Sequence, residues 1–535
     1  MNMAFDYVVI GAGSAGSVLA GRLSQDPAVR VALLESGPPD ASVAIHCPAG
    51  LALLPRLPHL TRFYNTVPQP GLNGRCGAIP RGRVLGGSSS TNAMIYARGR
   101  PDDYDAWAQM GCSGWAWSDV LPWFIQAENN AAYYHLDPAL HGQRGPLHVS
   151  NVLEPNVFSQ RFVQAGVQAG YRLNPDFNGA SQEGVGLYQV TQHQGERMSV
   201  AKAYLTPHLS RSNLTVLTGV QVETIGLSNG RANSVQAWHQ GESITITAQR
   251  EVLLCAGALE SPAVLLRSGI GPAEHLQSVG VPVRHHLPGV GDNLHDHPDV
   301  VLVAQAPQSY ELWGLSPMGA WQVLQGMWDW RQRRKGALTT NIAEAGGFIR
   351  THNSLSQPDV QLHFVVAKLQ DHGRQVSWGH GFSVHVCALQ PRSRGTVRLQ
   401  SANPHEAPLV DPQFLSDPHD AQTLVQGVKA ARHIMAQTSL ARYGQEWARS
   451  SGFQTDAEIE QWVRNHTDTI YHPVGTCRMG TDPEAVVDTQ CRVHGLQGLR
   501  VVDASVMPRI VSGNTNAPTI MLAERVAAWL QKEHA

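Results

Sequence analysis

Apolar and polar positions along the first 35 residues alternate between two registers. Tyr7-Val8-Val9-Ile10 is a short apolar run, and Val29 to Leu34 is a second, ending in Glu35. Runs of this length suit strands buried on both faces. Gly11-Ala12-Gly13-Ser14-Ala15-Gly16 lies between them and predicts a tight turn opening a helix, so residues 5–35 read as strand–helix–strand. Leu214–Leu217 and Glu251–Cys255 are further short apolar runs bounded by turn residues, while 232–247 alternates like a hairpin or meander. Ser261 to Ser268 predicts a helix stopped by Gly269. Asp102–Trp107 and Trp117–Gln126 also read as helices, and Leu147–Val149 and Gly186–Val190 as strands.

From residue 300 to 460 the texture changes. Pro358–Val365 and Val384–Leu399 look like strands of another sheet, and Asp420–Gln437 like an amphipathic helix. Motifs crowd again between 467 and 525. The pattern predicts an α/β protein with interleaved domains. A nucleotide-binding, Rossmann-like domain is assembled from 1–150, 195–300 and 465–535. A substrate domain, an antiparallel sheet backed by helices, comes from 151–194 and 301–464.

Composition narrows the partners. At 535 residues the chain exceeds one ordinary core. A net charge of −2 gives no reason to expect nucleic acid. The seven cysteines are scattered with no C-x-x-C pair, which argues against a disulfide framework or structural zinc, so no metal is expected. The first strand begins within six residues of Met1, leaving no room for a signal peptide, and no run of 18 or more apolar residues suggests a span. A cytoplasmic location is expected.

The glycine turn is the strongest chemical signal. Gly11 permits the turn, Gly13 lets backbone approach a pyrophosphate, and Gly16 lets the helix pack on the sheet. Ser14 and Ala15 present helix N–H groups to phosphate, and Glu35, followed by Ser36, suits a ribose diol. Four other segments stand out. Arg81 to Met94 combines glycines and serines that allow close approach to a flat or charged ligand. Thr469 to Thr476 contains His472, which titrates near neutral pH and can take a proton from a hydroxyl, or can simply serve as a cap. Val501 to Thr519 runs from strand through polar loop to helix, and Asn516 reads either as an N-cap or as an amide aimed at a substrate oxygen. Gly257 to Gly271 reads as strand–turn–helix.

Together these segments resemble the glucose–methanol–choline (GMC) family of flavin oxidoreductases over nearly the whole chain. The resemblance implies FAD as cofactor, with its ADP half on Gly11–Gly16 and Glu35. Arg83, Gly87, Ser88, Asn92, Ala93, Met94 and Ile95 then lie along pyrophosphate and flavin, and Val222 supplies a backbone contact to adenine. Ala256, Asp503, Ala504, Ala517 and Thr519 complete the cofactor set, together with Asn516. His472 becomes the active-site base and Asn516 its partner at the substrate hydroxyl, with hydride passing to flavin N5. Thr91 stands where some members carry a histidine that attaches FAD covalently, so non-covalent FAD is expected. In Tyr471–Gly480 and Ala343–Phe348 the chain resembles bacterial aliphatic primary alcohol dehydrogenases, which implies a primary alcohol as substrate and a quinone or other acceptor for the electrons. Choline dehydrogenase activity, or an alcohol oxidase using oxygen, is the alternative; choline would need acidic or aromatic groups such as Glu344 or residues 310–330 around its cation. A flavin-binding hydroxynitrile lyase is the alternative of another class. Met318, Trp321, Leu324 and Trp328 fall at helical spacing, consistent with a core-facing or lid helix, or with peripheral contact at the inner face of the cytoplasmic membrane.

Overall fold

The computed structural model describes residues 2–375, 377–446 and 451–533. A seven-stranded sheet forms the first layer. Its centre is Asn2–Ile10, paired in parallel with Val31–Glu35 on one side and Glu242–Leu254 on the other. Leu214–Thr218 extends it in parallel beyond Val31–Glu35, and Leu499–Val501 joins Glu242–Leu254 in parallel from the far end of the chain. Val8, Val9, Leu33 and Leu253 are fully buried, as expected where helices cover both faces of a parallel sheet. Val220–Ser228 and Arg231–His239 add the antiparallel meander.

The second layer is an eight-stranded sheet with antiparallel pairings. Its order places Pro298–Gln305, Gly379–Ala388, Val360–Val365, Ala345–Ile349 and Gly184–Leu187 side by side. The Pro418–Met435 helix lies against it, burying Leu424, Val428, Ala431 and Ile434 at helical spacing. The fold is thus α/β, a Rossmann-like nucleotide domain with an inserted antiparallel domain.

Two helices begin earlier than their sequence pattern predicts, at Gly257 rather than Ser261 and at Asn516 rather than Ile520. Gly257–Arg267 starts before Ser261 because Asp503 Oδ2 accepts from both Gly257 N–H (2.8 Å) and Ser261 Oγ (2.6 Å). The C-terminal helix runs Asn516–Glu533, so Asn516 is its first residue. It packs along Ser14–Leu23, where Arg22 and Tyr204 both bond Glu524, a buried carboxylate. Both helices thereby open toward the same space between the layers.

Candidate active site

That space is a cavity of about 1270 Å³, running from the glycine turn to His472. At one end the glycines act by different steric means. A Cβ on Gly16 would lie 1.9 Å from the Gly11 carbonyl oxygen, so only glycine lets this helix sit on the strand. Gly11 itself has φ +94° and its missing Cβ would lie 2.6 Å from Cys255 O. Gly13 has open space where its Cβ would be, on the cavity side. Gly87, at φ +54°, presses its backbone against Gly13, bringing the second loop down on the helix N-terminus.

Glu35 ends its strand with Oε2 accepting from Ala12 N–H (3.0 Å) and Oε1 from Gly37 N–H (2.8 Å), leaving the carboxylate on the cavity wall beside Ser36. Burial raises its pKa and these hydrogen bonds oppose the rise. Arg83 lines the same end, and its Nε is buried without a partner, which suits an anionic group in the cavity. Val220, Gln221 and Val222 edge it from the meander, at an irregular step in the strand between Val222 and Thr224 that frees backbone. The residues present therefore fit FAD: an acid for the ribose, free helix N–H groups and an unpaired guanidinium nitrogen for the phosphates.

Ser88, Asn92, Ala93, Met94 and Ile95 form the middle wall. Arg197 Nη1 bonds Asn92 Oδ1 (2.9 Å) and Met94 N–H donates to the same oxygen (3.0 Å), fixing this stretch. Met94 adopts φ +60°, unusual for such a side chain, and is held there by Thr191 N–H on its carbonyl (2.8 Å). Backbone strain of this kind costs about 1–3 kcal/mol and is characteristic of functional sites. Ala256, Asp503, Ala504 and Thr519 also line the cavity, whereas Ala517 is buried in the nucleotide-domain core and does not.

At the far end stands His472, only 8 % exposed. Its backbone is tightly specified. Asp296 Oδ1 accepts from His472 N–H (2.8 Å), Thr469 Oγ1 donates to Asp296, and Arg81 Nη1 donates to Tyr471 O (2.7 Å). Tyr471 sits at φ +75°, a second strained position directly before the histidine. Burial raises the Asp296 carboxyl to about 7.

The tautomer of His472 follows from its neighbours. His297 Nε2 is 3.0 Å from Leu389 O, and a carbonyl can only accept, so His297 carries its proton there. Burial lowers the His297 pKa to about 4, so its Nδ1 is a bare acceptor. His472 Nδ1, 3.1 Å away, must then donate to it. This leaves His472 Nε2 with its lone pair toward the cavity. Burial first, then His297, His363 and Arg81, push the His472 pKa well below its ordinary value of 6.5. The imidazole is a free base at neutral pH.

The side chain that meets this lone pair is Asn514, whose Nδ2 lies 3.2 Å from His472 Nε2. Gln361 Nε2 donates to Asn514 Oδ1 (3.2 Å), which fixes the amide so that it points N–H at the site. Asn516, expected in this position, is turned away: Ser14 Oγ donates to its Oδ1 (2.7 Å), tying it to the N-terminus of the first helix. The helix begins at Asn516, so its side chain follows the helical twist while Asn514 still belongs to the extended loop. Sequence inspection missed Asn514, His297 and Gln361 as members of one constellation. The twin asparagines of Ser512-Gly513-Asn514-Thr515-Asn516 were the available signal; the position of the helix start was not.

His363 was also missed. It is buried, lines the cavity near His472, and neither ring nitrogen has a partner. Glu344, considered for a cation, is saturated instead by Asn156 N–H, Ser159 Oγ and Thr340 Oγ1, and does not line this cavity.

A family model described as GMC oxidoreductase matches residues 5–299 with its N-terminal part and 391–523 with its C-terminal part. An alcohol dehydrogenase (acceptor) from Pseudomonas putida is 44% identical over 529 residues, 98% of this chain and 95% of that one. The mitochondrial choline dehydrogenase of Mus musculus is 42% identical over 535 residues, 98% of this chain and 89% of that one. Among solved structures, pyridoxine 4-oxidase from Mesorbium loti is similar with a TM-score of 0.88 at 32% identity, covering 99% of this chain and 100% of that one.

Proposed function

The chain belongs to the GMC oxidoreductase family, and on that premise we propose that it is an FAD-dependent dehydrogenase oxidising an uncharged primary alcohol to its aldehyde. His472 is the base and Asn514 its partner at the substrate oxygen. The observation that carries this reading is the relay from Leu389 O through His297 to His472, which leaves a bare Nε2 beside an amide donor.

His472 Nε2 takes the hydroxyl proton as the alcohol is oxidised. Asn514 Nδ2 donates to the same oxygen and stabilises the charge that develops on it. His297 stabilises the imidazolium by accepting from its Nδ1. Gln361 keeps the Asn514 amide from flipping, and Arg81, Asp296 and Thr469 hold the His472 backbone. FAD, when bound, supplies the two-electron acceptor for the hydrogen leaving the alcohol carbon. Asn516 belongs to cofactor binding rather than to proton transfer.

An uncharged substrate fits the wall chemistry. The carboxylates lining the cavity are Glu35, Glu260 and Asp503, and each already accepts protein donors. No carboxylate is left for a quaternary ammonium, for which the wall offers rings such as Trp313, Trp328 and Trp330 instead, whereas the unpaired His363 ring suits a neutral hydroxyl. Val365, Ala367, Leu338 and Trp330 supply apolar surface for the carbon chain. FAD is held without a covalent bond, because Thr91 on the cavity wall offers only a hydroxyl. The electrons pass on to a quinone or another acceptor, in keeping with the similarity to an alcohol dehydrogenase (acceptor).

Anaerobic mixing with a panel of alcohols tests the reading. Bleaching near about 450 nm, the absorbance of oxidised flavin, is expected with uncharged primary alcohols and weakly or not at all with choline. No bleaching with any alcohol would favour the lyase chemistry, and faster reoxidation by oxygen than by quinone would make the enzyme an oxidase.

A further inference from the structure

The Pro317–Arg333 helix is built inside out. The residues it buries are Gly319, Gly326 and Trp330. A Cβ on Gly319 would lie 2.1 Å from Gly314 O, and one on Gly326 3.0 Å from Leu338 Cγ, so the helix lies close on its small residues. Apart from Trp330, its largest apolar side chains are exposed: Trp321 is 63% exposed, Leu324 60% and Trp328 65%, with Met318 and Met327 beside them. Trp321, Leu324 and Trp328 form one stripe at helical spacing. The core-facing role considered for this stripe is therefore excluded.

The stripe continues onto neighbouring elements. Leu315 and Trp378, bridged to one another across adjacent strands, are 47% and 74% exposed. Leu53, from a separate loop, is exposed too. Leu53, Leu315, Leu324, Met327 and Trp328 also line the cavity that ends at His472, so this apron surrounds its mouth. Exposed apolar surface of this extent around an entrance marks an interaction site. The last turn of the helix and the residues just after it carry Arg331, Arg333, Arg334 and Lys335. Arg334 is paired with Glu196, but no ion pair among the described residues takes up Arg331, Arg333 or Lys335. The acidic side chains nearest to them in sequence are Asp329 and Glu344, and neither forms an ion pair with them.

We propose that this apron docks on a lipid bilayer carrying anionic headgroups, with Trp321, Leu324, Trp328 and Trp378 entering the interface and Arg331, Arg333 and Lys335 meeting the headgroups. Tryptophan favours the interface because its ring is apolar and its N–H polar, and unpaired cations at the edge of an apolar face complement anionic lipid. No helix among the described residues is long and apolar enough to cross a membrane, so the contact is peripheral. The inference extends the proposed alcohol–quinone reading: lipophilic alcohol and quinone then pass from bilayer to cavity without crossing water.

Flotation of the FAD-loaded protein with vesicles tests it. Phosphatidylcholine vesicles with and without phosphatidylglycerol are compared for the natural chain, Trp321→Ser/Trp378→Ser and Arg333→Glu/Lys335→Glu. None of these four positions lines the cavity. Flavin content, thermal melting and turnover with a water-soluble dye establish that the variants are folded. The natural chain should float with anionic vesicles. The tryptophan variant should lose about tenfold in partitioning to either vesicle, and the charge variant should lose binding to anionic vesicles alone. Equal recovery of all three, or a natural chain that never floats, overturns the proposal. So does a natural chain that self-associates through the tryptophans and ignores lipid, which would make a second copy the occupant. Normal bleaching by alcohol without flotation removes the docking surface alone; flotation without bleaching removes the catalytic reading alone.

Discussion

Replacing Asn514 and Asn516 separately distinguishes proton-transfer chemistry from cofactor retention. Asn514→Ala removes an N–H donor 3.2 Å from His472 Nε2, and also takes away the acceptor that Gln361 Nε2 bonds there. Loss of one oriented donor to a developing oxyanion costs about 10²–10³ in rate, or about 2.7–4 kcal/mol. Asn514→Asp should be worse, because it sets an acceptor against a lone pair and favours the protonated imidazole. Asn516→Ala loses a different bond, the 2.7 Å contact from Ser14. An ordinary hydrogen bond is worth about 1 kcal/mol, so flavin retention should weaken about fivefold with little effect on chemistry. The assay is anaerobic stopped-flow reduction of bound flavin at saturating alcohol, corrected for flavin content. Asn514→Ala should slow the reduction step, and Asn516→Ala should lower flavin occupancy while reducing at nearly the natural rate. If Asn516→Ala slowed reduction more than Asn514→Ala, the assignment drawn from the helix start would be refuted.

His472→Ala should cut flavin reduction by about 10²–10⁴, and near-normal reduction would remove it as the base. Because its pKa lies well below 6.5, the acid limb of kcat/KM should fall below pH 6.5, and a limb centred at or above that value would contradict the neutral relay. Asp296 is raised from 3.8 to about 7, so the native state holds a proton that the unfolded chain releases. Stability should therefore decline as pH rises between those values, by about 4 kcal/mol in all; Asp296→Asn should flatten that slope in denaturant titrations, and an unchanged slope would count against the shift. Acid precipitation should release the flavin into the supernatant, whereas yellow colour remaining in the pellet would show a covalent link despite Thr91.

Much of the nucleotide half was legible because its constraints are local. Gly11 and Gly16 each answer a steric demand made within a few residues, or by the adjacent strand, Gly13 lies between them on the cavity wall, and Glu35 ends the next strand of the same unit. The periodicities of 358–365 and 420–437 likewise announced a strand and a helix, found at Val360–Val365 and Pro418–Met435. His472 stood out through its own chemistry and its proline neighbour.

What the chain order could not disclose were contacts made across it. His297 lies 175 residues from His472, and the tautomer that makes His472 a base depends on that contact and on Leu389 O. Asn514 and Asn516 are chemically identical and two residues apart; only the start of the C-terminal helix sends one to His472 and the other to Ser14. The stripe on residues 317–333 has a period that fits a core equally well, and only the packing of Gly319 and Gly326 against the body turns it outward. Periodicity states which residues share a face of an element. Whether that face meets the core, a ligand or solvent depends on which side the rest of the chain occupies, and tertiary packing alone decides that.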